Sequence, residues 1–110
     1  MNVYDTANKL AKEIRESEEY KSYKNLKDSI MANPTSKKKI EEFEQLRYEV
    51  QLTQYTGENR DEEKTKKLEE MYAMLVQDEQ IKNYFDLEVK FNVMIADVNK
   101  IIEEAIRDVL

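Results

Sequence analysis

Apolar residues recur along this chain at steps of three and four, the period of an amphipathic helix. Val3, Ala7, Leu10, Ala11 and Ile14 share one helical face and predict a first helix over roughly residues 4 to 15. Asp5 falls in its first turn, where a negative charge suits the macrodipole. Ser17 reads as the N-cap of a second helix, with Glu18 and Glu19 in the favourable first turn. That helix carries Tyr20, Tyr23, Leu26, Ile30 and Met31 along one side. Asn33-Pro34 stops it, since a residue before proline avoids the α region. Thr35 or Ser36 is the expected N-cap of a third helix bearing Ile40, Phe43, Leu46, Val50 and Tyr55. Gly57, the sole glycine, stands where a left-handed C′ residue is wanted. Asp61 is placed to cap a fourth helix with Leu68, Met71, Tyr72, Leu75 and Val76. Asp78 marks a break or a bend and is placed to cap a fifth.

The last segment, residues 79–110, has the most regular pattern. Ile81, Tyr84, Glu88, Phe91, Ile95, Val98, Ile102, Ala105 and Val109 follow one another by alternate steps of three and four, and only Glu88 interrupts the seam. Leu87, Met94 and Ile101 widen it on one flank, as suits a helix packed between several neighbours. Unbroken, the segment would run about 48 Å at 1.5 Å per residue. A compact domain of this size has a radius of gyration near ~13 Å. Such a helix would overhang its own chain, and a second copy would cover the bare positions, so a homo-oligomer, dimer or tetramer, is expected. A fourth helix lying antiparallel along the fifth is the simpler way to cover part of the overhang.

Composition narrows the class. The 110 residues fit one domain, 1–110, of all-α type, with about five helices in a bundle of long antiparallel helices. One Gly and one Pro are too few for a β-rich fold. Charged residues make up 38%, yet the periodic apolar positions argue against disorder. The absence of cysteine excludes disulfides, thiolate nucleophiles and cysteine-bound zinc or iron–sulfur centres; the absence of histidine removes the commonest general base. No run of 18 apolar residues and no apolar leader occur, which makes the cytoplasm the default compartment. The net charge is −6, and its excess acid lies wholly beyond residue 56: ten Lys/Arg balance ten Asp/Glu up to there, and eight face fourteen after it. A nucleic-acid backbone is usually gripped by a basic surface, so the balance argues against one as the main partner.

Candidate chemistry is sparse. Lys21, Lys24 and Lys27 interleave with Tyr20 and Tyr23, a pattern open to base stacking and phosphate contact. On a helix, though, the tyrosines join the apolar stripe and the lysine stems flank it, which favours a core or self-association role. Lys37, Lys38 and Lys39 oppose the macrodipole at a helix start. They are the candidate contact for an anion or RNA, because a helix N-terminus offers free N–H groups. Asn59, Asp61 and Glu63 alternate like calcium-loop ligands, and Glu70 falls at the twelfth position, but Lys64 stands where glycine is required. The pairs Glu41/Glu42, Glu62/Glu63, Glu69/Glu70 and Glu103/Glu104 point about 100° apart on a helix and do not converge. With no phosphate loop or Glu-x-x-His motif either, no enzyme, metal or cofactor is expected.

The run SEEYKSYKNLKDSIMANPTSKKKIEEFEQLRYEVQ resembles the YlbF/YmcA/YheA family of small bacterial helical proteins. The likeness rests on Ser17 to Tyr20, Tyr23 and Lys24, the Asn33-Pro34 break, and Ile40 with Phe43. YTGE at 55–58 and VNKIIEEAI at 98–106 are similar to the YheA-like branch. The resemblance implies long helices that self-associate. It also implies regulation, since the better-studied branch acts in competence, sporulation and biofilm control through a complex linked to ribonuclease Y and mRNA processing. Iron–sulfur clusters held by cysteines in some members have no ligands here. The expected function is therefore a non-catalytic, homo-oligomeric helical adaptor working through protein–protein contacts. Tyr20, Tyr23, Phe91, Ile95, Val98 and Ile102 would serve the core or self-association. The alternative is an RNA-associated accessory factor using Lys37, Lys38 and Lys39.

Overall fold

The computed structural model describes residues 2–56 and 62–110, with the side chains of 54–56 excepted. Among these residues there are five helices and no strand: α1 Val3–Glu16, α2 Glu18–Met31, α3 Pro34–Thr56, α4 Glu62–Leu75 and α5 Glu79–Ile106. The expected Tyr55 core position, the Gly57 cap, the Asp61 cap and the start of the calcium-like spacing lie outside the described residues.

Side-chain caps explain the boundaries. Asn2 accepts from the Tyr4 N–H at 2.7 Å and starts α1, a cap the sequence pattern had not suggested. Ser17 serves two helices at once. Its hydroxyl donates to the Ile14 carbonyl at 2.6 Å, closing α1, and accepts from the Tyr20 N–H at 3.2 Å, opening α2. A single extended residue (φ −70°, ψ 151°) thus separates two helices. The N-cap of α3 is Asn33, not Thr35 or Ser36: its Oδ1 accepts from both Thr35 and Ser36 N–H, at 3.0 and 3.2 Å. Pro34 is then the first helical residue, where its missing N–H costs nothing. The proline that ends α2 also begins α3. Asp78 caps α5 as expected, accepting from Gln80 and Ile81, so α4 and α5 are separate helices.

The chain forms two compact units. One comprises Asp28–Asn83. Within it α3 and α4 run antiparallel, because Phe43 meets Tyr72 (ring centroids 6.2 Å apart) while Glu49 meets Lys64 at 3.7 Å. Ile30, Ile40, Phe43, Leu46, Val50, Leu75 and Ile81 are its buried side chains. Lys64, the residue that fails the calcium pattern, is thus engaged with α3. The other unit comprises Met1–Lys27 and Tyr84–Leu110. Here α2 and α5 are antiparallel, since Tyr20 meets Phe91 and Tyr23 reaches back to Tyr84. At 28 residues, α5 is about 42 Å long.

Candidate functional site

Two aromatic residues of α2 and two of α5 make a cluster in the second unit described. The Tyr23 ring lies 5.5 Å from Tyr84, stacked, and 5.5 Å from Phe91; Tyr20 lies 6.2 Å from Phe91. These separations are in the favourable range for offset or tilted ring pairs. Tyr84 is fully buried, while Tyr20, Tyr23 and Phe91 are half-buried. The Tyr23 hydroxyl donates to Glu88 Oε2 at 3.4 Å. That contact accounts for the one polar interruption of the α5 seam: the carboxylate sits where a tyrosine tip needs an acceptor. Lys21, Lys24 and Lys27 are exposed. Arg15, at the end of α1, places its guanidinium 5.9 Å from the Tyr20 ring centroid.

Farther along α5 the same seam emerges from cover. Ile95 and Val98 are half-buried, but Ile102 is 49% exposed, Ile101 69% and Ile106 39%. Of the six apolar residues singled out from sequence, the structure brings Tyr20, Tyr23 and Phe91 together and leaves Ile102 at the surface. Val89 and Val93, on the opposite side of α5, are also exposed, an apolar surface that the seam pattern did not reveal.

Lys37, Lys38 and Lys39 are exposed in the opening turns of α3. The N–H groups there are already used: Asn33 takes two through its side chain and that of Lys37 through its carbonyl, at 2.9 Å. Lys37 lies 3.9 Å from Glu41. A groove of about 720 Å³ beside them is lined by Lys37, Lys38 and Lys67 but equally by Glu41, Glu42 and Glu49. Its mixed charge neutralises itself and does not converge on an anion. A smaller hollow of about 250 Å³ includes Met71, Met74, Leu75 and Ile81. Among the described residues no three His, Cys, Asp or Glu side chains are grouped to hold a metal, and no helix is long and apolar enough to cross a membrane.

Fold and surface together define an all-α protein of long helices with exposed apolar helix faces. The chain belongs to the Com_YlbF family, described as control of competence regulator ComK, YlbF/YmcA, whose profile matches residues 3–107. A UPF0342 protein of Alkalihalophilus pseudofirmus is 36% identical over 98% of this chain and 92% of its own length. One from Halothermothrix orenii is 35% identical over 93% of this chain and 86% of its own. Among solved structures, yheA from Bacillus subtilis superposes with a TM-score of 0.69 at 28% identity over the full length of both chains. A protein of unknown function (DUF964) from Bacillus stearothermophilus shares the fold, with a TM-score of 0.82 at 18% identity over 96% of this chain and 93% of that one. The chain is thus YheA-like within a family described as regulatory, and none of these relatives points to a catalytic family.

Proposed function

We propose that residues 1–110 act as one cytoplasmic, homo-oligomeric helical adaptor in regulation, working through protein–protein contacts and without catalysis of its own. The observation that carries this reading is the apolar seam of α5, which runs on past its cover and leaves Ile102 exposed together with its apolar neighbours Ile101 and Ile106. Exposed contiguous apolar surface of this kind marks interaction sites. Family membership adds the regulatory context. Light scattering at micromolar concentration tests self-association: a mass well above 13.2 kDa is expected, and a clean monomer counts against the proposal. Affinity purification from the native cell then tests the adaptor role, with co-purifying regulatory proteins as the expected result.

An RNA-associated accessory role through Lys37, Lys38 and Lys39 has less support. Asn33 occupies the N–H groups that an anion would use, and acidic side chains line the same groove.

A further inference from the structure

We propose that a second copy of this chain docks by reciprocal exchange of helix faces: α1 of each copy lies on the exposed α5 tail of the other. The inference rests on the self-association proposed above and specifies its surfaces.

The first observation is α1. Val3, Ala7, Leu10 and Ile14 form one apolar face, of which Leu10 and Ile14 are half-buried, Ala7 is exposed and Val3 is 81% exposed; no residue of the helix is fully buried. A helix of 14 residues is marginal on its own and takes its stability from packing of its apolar face. The second observation is the α5 tail, where Val98 is half-buried and Ile101, Ile102 and Ile106 are exposed. Both faces belong to one compact unit, and a two-fold interface would pair each with the other.

Charge decides between this pairing and tail against tail. On α5 the seam from Val98 to Ile106 is edged by Asp97, Asp108 and Glu103, with Asn99 the only neutral polar edge residue. Two such tails face to face would bring acid against acid. On α1 the apolar face is edged by Lys9 and Arg15, with Glu13 the single acid. A net basic edge therefore meets a net acidic one only when α1 packs on α5.

The natural absence of cysteine makes cross-linking a clean test. Ala7→Cys and Ile102→Cys variants, both at exposed positions, are prepared with tags of different mass, unfolded and refolded together, and treated with a short bismaleimide. Circular dichroism checks that each is helical, and light scattering gives the mass. The expected result is a dimer whose dominant product joins one chain of each kind, several-fold over either same-site product. A dimer that links Ile102→Cys chains to each other, Ala7→Cys chains to each other, or neither, overturns this arrangement and leaves self-association standing. A monomer by light scattering overturns both.

Discussion

Asn33, Ile40 and Tyr23 show how much rests on single side chains. Asn33 satisfies two N–H groups at the start of α3, so Asn33→Ala should cost about 1 kcal/mol, visible as a lower urea midpoint at unchanged slope. Ile40 is fully buried, and Ile40→Ala should cost about 2–5 kcal/mol in the same measurement, depending on how far the site collapses. Tyr23 separates ring from hydroxyl. Tyr23→Phe loses the long bond to Glu88 and should cost about 0.5 kcal/mol. Tyr23→Ala also loses two ring contacts, worth about 0.5–1.5 kcal/mol each beyond the area they bury. The sequence placed Tyr23 on the apolar stripe, since stripe membership follows from spacing alone. It gave no sign that Glu88 would receive the hydroxyl, because that contact joins residues 65 positions apart.

At the scale of elements, the five helices and most of their ends were legible because caps and faces are made by residues three or four apart. The exceptions are informative. Asn33-Pro34 reads as a stop, and it is one, but the same two residues open the next helix. A proline after Asn serves as readily at N1 as it does beyond a C-terminus. The most telling element is α5. Its seam changes environment along its length, so the same substitution should act differently by position. Phe91→Asp removes a ring that packs on both Tyr20 and Tyr23 and should lower helicity and thermal stability. Ile102→Asp, at a half-exposed position, should leave the helix content intact and reduce the mass seen by light scattering.

For the whole molecule, charge bears on what covers the exposed faces. A charge of −6 makes long-range attraction to nucleic acid weak, and the lysine run stands among carboxylates. Changing Lys37, Lys38 and Lys39 together to Glu should therefore leave any RNA retained at low salt almost unchanged; a steep loss would revive the RNA reading. Composition and periodicity by themselves determined that this chain is helical, where several of its helices start and stop, and that cysteine or histidine chemistry is absent. Those properties depend on residue identity and on neighbours within a turn or two. What they could not determine is visible in Tyr84 and Ile102. The two are 18 residues apart, about five full turns, and so lie on the same line of α5. One is fully buried, stacked on the Tyr23 ring of α2, and the other is 49% exposed. Only the tertiary structure decides which part of a uniform seam finds a partner within its own chain, because that depends on how far α2 extends beside α5.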